Sequence, residues 1–131
     1  HSVVYDIFKM LSSSDYRIVV TTDHGSIRVN KPVKIIGERN TNTNLRYKIG
    51  RNLGFDAKDL FVIKDPRRVH LPQPNVSTNY VFAQGNQFFA YPNNYNYYVQ
   101  YYRDTFQHGG ISMEEIIIPL VTLKPRKEKW N

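Results

Sequence analysis

The chain has no cysteine, which excludes disulfide staples and any zinc site built on thiolates. Long hydrophobic runs are missing too. Apolar stretches such as Ile116 to Val121 and Ile18 to Val20 fall far short of the roughly 20 residues that a membrane-spanning helix needs. Nothing has the layout of a signal peptide, so no membrane span and a cytoplasmic location are expected. Acidic residues are scarce beside basic ones, 11 against 18, which leaves a formal net charge of +7. A surface of that sign concentrates phosphate-bearing partners and speeds their encounter. What is there is 131 residues with 40% hydrophobic content, enough for one core and too little for two domains.

The apolar run Ile18-Val19-Val20 leads straight into Thr21-Thr22-Asp23-His24-Gly25. A carboxylate and an imidazole therefore stand where a strand runs out, the place at which open sheets converge on a crevice. Carboxylate and neutral imidazole together suit a zinc ion, and the glycine lets the chain turn away. The plainer reading has Asp23 capping a turn and His24 as a solvated loop residue. A second segment, Thr105 to Glu115, carries His108 before Gly109-Gly110. Ser112 followed by Glu115 reads as a capping box, so a short helical turn opens before the strand Ile116 to Val121. His108 then sits on a turn held between ordered elements.

Positive charge gathers at Arg39, Arg46, Lys48 and Arg51, and again at Lys124, Arg126, Lys127 and Lys129. The tail 124–131 reads as a frayed, solvated end. In the middle cluster, Arg39, Asn42, Asn44, Arg46 and Lys48 are candidates for gripping phosphate or ribose through charge-assisted hydrogen bonds. The alternative is a polar loop entering a helix, with Asn44 as its cap.

Apolar spacing predicts a helix over Val3, Val4, Ile7, Phe8 and Leu11, ended by Ser12-Ser13-Ser14-Asp15. Tyr16 to Thr22 reads as a buried, parallel strand, so that helix and strand form half of a βαβ repeat. Ser26 to Val29 and Val33 to Ile36 are expected to pair across Asn30-Lys31-Pro32. Leu45 to Leu53 is expected to be helical, Leu60 to Ile63 a strand, and Val69 to Thr78 a surface loop punctuated by Pro72, Pro74 and Asn75. Tyr80 to Ala83 and Phe88 to Tyr91 read as a β-hairpin with Gly85 in its turn. Tyr95 to Arg103 carries five tyrosines; packing is the first explanation and base stacking the second. His70, beside Arg67 and Arg68, has no partner at metal-ligand spacing and reads as a surface residue.

The segments Thr22-Asp23-His24-Gly25 and His108-Gly109-Gly110-Ile111-Ser112-Met113-Glu114-Glu115-Ile116-Ile117-Ile118-Pro119 together resemble the C-terminal half of the PglZ domain, a branch of the alkaline phosphatase superfamily. Two further blocks, Gly37 to Lys48 and Phe88 to Asn96, are similar to PorX-type response regulators of Bacteroidetes, and the resemblance covers nearly the whole chain. It implies an α/β fold: the C-terminal portion of an alkaline phosphatase-like sheet, with flanking helices and a β-hairpin. It also implies a zinc-dependent phosphohydrolase or phosphodiesterase inside a two-component response regulator that controls type IX secretion. By that resemblance Asp23 and His24 would ligate one zinc and His108 the other, and the Arg39 to Lys48 segment would touch a phosphodiester or nucleotide substrate. Two metals about 4 Å apart can clamp both oxygens of an in-line displacement.

The departures carry their own expectation. In that family a Thr or Ser nucleophile, an early Asp ligand and an Asp-x-x-x-His pair precede the Asp-His dipeptide. No such set stands upstream of Asp23 here. The chain is therefore expected to be a fragment, inactive by itself, in which zinc is partial or absent, because catalytic sites use at least three protein ligands per metal. A strand stripped of its upstream neighbours would favour a homodimer or strand exchange. The competing expectation is a non-catalytic module whose basic, Tyr-rich surface binds protein or nucleic acid. The two differ in whether His24 and His108 lie together over one cleft or far apart.

Overall fold

In a computed structural model that describes residues 2–38 and 41–125, the apolar period near the start becomes helix α1 (Val3–Leu11). The helix stops where the hydroxyls of Ser12 and Ser13 donate to the carbonyls of Lys9 and Met10, a competition that weakens helix continuation. After α1 the chain order is β1 (Ile18–Thr21), β2 (Ile27–Val29), β3 (Lys31–Ile36), β4 (Tyr47–Gly50), β5 (Gly54–Phe55), β6 (Leu60–Ile63), β7 (Asn79–Ala83), β8 (Gln87–Ala90), α2 (Tyr95–Tyr102), β9 (Thr105–Gln107), α3 (Met113–Ile116) and β10 (Leu120–Leu123). The class is mixed α/β, several small sheets with few helices, as expected. No helix among the described residues is long and apolar enough to cross a membrane. Residues 39, 40 and 126–131, and with them Arg39 and most of the basic tail, lie outside the described residues.

Two units make up the chain. The first runs to Asp23 and resumes at Ile118; the second spans His24 to Ile117. In the first, β1 pairs antiparallel with β10, Ile18 opposite Leu123 and Thr21 opposite Leu120. This corrects the expected buried parallel strand. Burial alternates along β1 and Val19 is 54% exposed, as in an antiparallel strand with one wet face; three apolar residues in a row had masked the alternation. The last strand is also displaced from Ile116–Val121. Ile116 instead closes α3, and Pro119, which disfavours the helical region for its predecessor, delays β10 to Leu120.

The second unit holds the core. Strand β7 lies between β4 and β6, antiparallel to both, and β3 lies between β8, parallel, and β5, antiparallel. Strand β8 is buried along its whole length. Alternation sends its two phenylalanines to opposite faces: Phe89 packs with Ile35, Leu60, Val81 and Ala83, while Phe88 packs with Val29, Ala90 and Val99. At about 1.5–3 kcal/mol for each buried large apolar side chain, these two clusters hold the unit together.

Three elements differ from expectation. Strand β2 pairs with β9 rather than β3. Strands β7 and β8 flank a turn at Gly85 (φ 47°) but join different sheets, so they make no hairpin ladder. The segment expected to be a helix from Leu45 to Leu53 contains strand β4. Here the Asn42 and Asn44 carboxamides accept from the backbone N–H groups of Ile49, Arg46 and Tyr47, which gives the backbone an alternative to helical bonding. Strand β6, the loop following Val69 and the capping box of α3 stand as read from sequence, and Tyr95–Tyr102 forms helix α2.

Candidate metal centre

Asp23, exposed, is the last residue of the first unit, and His24, also exposed, opens the second. The His24 Nδ1 lies 2.8 Å from the carbonyl oxygen of Gly25. A carbonyl only accepts, so Nδ1 is the donor in this contact, which in the neutral ring leaves Nε2 with the lone pair. Gly25 is needed for close approach rather than for a special turn. Its N–H donates to the Glu115 carbonyl at 2.9 Å, and a Cβ at this position would fall 2.0 Å from the Glu114 carbonyl oxygen.

His108 follows β9 and is likewise exposed. Its ring stacks on that of His24, centroids 3.8 Å apart and planes within 11°. Segments 84 positions apart in sequence thus deliver two imidazoles to one spot. The carbonyl of His108 accepts from the Asn44 carboxamide at 3.3 Å, and Gly109 follows in the left-handed region, φ 95°, where a side chain is strained.

Beneath this turn is a buried ion pair. Arg46 and Glu115 are 0% and 1% exposed at their side chains. They bond through two parallel contacts, Nε to Oε1 and Nη2 to Oε2, both 2.9 Å. Arg46 Nη1 also donates to the Gln87 carbonyl. Glu115 collects further donors from Gly110 N–H at 2.9 Å, Ser112 N–H at 3.1 Å and the Ser112 hydroxyl at 2.7 Å. Burial pushes the Glu115 carboxyl upward, but the hydrogen bonds from Arg46, Ser112 and Gly110 and the arginine's charge outweigh it, and the pKa falls to about 2.

The other described candidates for phosphate contact are also engaged within the unit. Lys48 is 0% exposed; its ammonium donates to the Asn42 carbonyl at 2.7 Å and sits 4.5 Å from the centre of the Tyr91 ring. Burial lowers its pKa to about 8. Asn42 is tied to Tyr47 and Ile49 of β4, and Asn44 to Arg46, Tyr47 and His108. Asn42, Asn44, Arg46 and Lys48, expected to touch substrate phosphate, are bonded here to partners inside the fold.

Asp104 and His108 stand in Asp-x-x-x-His spacing, a pair the sequence reading passed over. On a helix that spacing would bring both to one face. Here β9 intervenes, four residues of strand span about 13 Å, and Asp104 pairs instead with Arg28 at 3.3 Å. Among the described residues no three His, Asp or Glu side chains form a metal-ligand group. The donors fit zinc in kind and fall short of it in number. Glu115 is the contributor that sequence reasoning saw only as a helix cap; the Ser-x-x-Glu spacing was its signal, and nothing local pointed to Arg46.

No curated protein matches the chain. The family of the BREX system PglZ alkaline phosphatase-like domain matches it over residues 2–123, and the chain belongs to that family.

Proposed function

We propose that the chain is the C-terminal part of a zinc-dependent phosphohydrolase that acts on phosphodiesters or nucleotides in the cytoplasm, within a PorX-like response regulator. Asp23 and His24 hold one zinc and His108 the other, while the nucleophile and the remaining ligands are supplied from outside this sequence. The stack of His24 on His108 carries the reading. Two-metal sites place their ions about 3.5–4 Å apart, and parallel imidazoles with centroids 3.8 Å apart have the spacing to serve one ion each. A non-catalytic module has no need to bring these two rings together. Arg39 keeps the role of contacting substrate phosphate; Asn42, Asn44, Arg46 and Lys48 serve the site as its frame. With no third His, Asp or Glu joining them among the described residues, the chain alone binds zinc weakly and is inactive.

The test is zinc per chain, by elemental analysis at saturating zinc, for the wild type and for His24→Ala and His108→Ala. A zinc content below wild type is expected in each variant. Wild-type zinc in either variant, or no zinc in the wild type at saturating zinc, overturns the metal assignment for this chain. Hydrolysis of a chromogenic phosphodiester by the pure chain would overturn the assignment of an inactive part.

A further inference from the structure

We infer that Glu115 is a positioning residue that locks the two histidine-bearing turns together before any metal arrives. Its role in metal binding rests on the function proposed above; its geometry does not. The carboxylate holds the His108 side. Its oxygens accept from Gly110 N–H, two residues past His108, and from both the backbone and the hydroxyl of Ser112. The backbone carbonyl of the same residue holds the His24 side, accepting from Gly25 N–H, one residue past His24. One residue thus fixes the backbone just after each ring.

Arg46 completes the lock. It saturates the remaining capacity of the carboxylate, and its own N–H donates at 2.7 Å to Asn44, whose carboxamide holds the His108 carbonyl. Gly25 and Gly110 show how closely the parts meet. A Cβ on Gly110 would lie 2.6 Å from Glu115 Oε2, and one on Gly25 would meet the backbone of Glu114. A capping box requires only Ser112 and Glu115; the bonds to Arg46, Gly110 and Gly25 go beyond it. Two exposed rings in contact attract each other too weakly to offset the entropy of ordering two loops. The buried network beneath them supplies that order.

The test reads the rings directly, in metal-free protein, as nuclear Overhauser contacts between the His24 and His108 imidazoles. Glu115→Ala removes the carboxylate that holds the His108 side and the Arg46 partner while keeping the backbone carbonyl that accepts from Gly25, Glu115→Gln keeps its shape without its charge, and Val81→Ala serves as a core-destabilised control outside both turns. The contact is expected in the wild type and in Val81→Ala, and is expected to be lost in Glu115→Ala and weakened in Glu115→Gln, while far-UV circular dichroism reports a folded chain. A folded Glu115 variant with wild-type ring contacts overturns the inference. If Glu115→Ala does not fold, Glu115→Gln decides. Zinc affinity is expected to fall about 10–100-fold in the Glu115 variants, the usual cost of losing a residue that orients metal ligands. Because the ring contact is read without zinc, a wild type that shows the contact but binds no zinc sinks the metal assignment and leaves the lock standing.

Discussion

Replacing Arg46 with methionine keeps most of the aliphatic stem and deletes the guanidinium, which leaves the Glu115 carboxylate charged in a site where the residue is only 4% exposed. Two unit charges about 4 Å apart interact by about 4 kcal/mol at an effective dielectric of 20. Breaking one side of a buried pair costs about 3–5 kcal/mol. The two routes agree. Arg46→Met is therefore expected to lose about 3–5 kcal/mol, a large part of the roughly 5–15 kcal/mol typical of a whole domain. Urea unfolding followed by circular dichroism at pH 7 measures it. The depressed carboxylate pKa sets the pH dependence: its contribution is complete above 4.5 and is lost as pH falls through about 2, because the unfolded chain takes up the proton first. The gap between wild type and variant should narrow across that window. A gap at pH 7 below about 1 kcal/mol, the value of an exposed pair, or one that stays constant down to pH 2, refutes the reasoning.

Gly25→Ala sets a methyl 2.0 Å from the Glu114 carbonyl oxygen; an overpacking loss of about 1–3 kcal/mol is expected in thermal unfolding, and unchanged stability would deny the close approach. Lys48 has a folded pKa lowered from 10.5 to about 8, so between those values the unfolded chain binds more protons and stability rises with pH. That rise should be smaller in Lys48→Met, and an identical slope in the two proteins would contradict the burial of the amine. In the first unit, β1 and β10 each have one ladder partner among the described residues, and Val19, Leu120 and Val121 are 54%, 74% and 48% exposed. Open edges with apolar surface favour strand addition by a second copy; light scattering should report a concentration-dependent dimer, and a strict monomer at high concentration would count against it.

Elements whose cause lies within a few residues were legible in the sequence. The spacing of Val3, Ile7 and Leu11 specified α1, and Ser112 with Glu115 specified the cap of α3. The α/β class was legible as well, from motifs that stay intact in the linear chain. Only the tertiary structure decided the partners. Whether Ile18-Val19-Val20 runs parallel or antiparallel, and whether β7 pairs with β8 or with β4 and β6, depends on which surfaces bury together, and a strand's own pattern names its faces without naming its neighbour. The same holds for the site. Arg46 and Glu115 lie 69 residues apart; in the sequence one reads as a phosphate contact and the other as a helix cap, and only a fold that removes both from water makes them a pair.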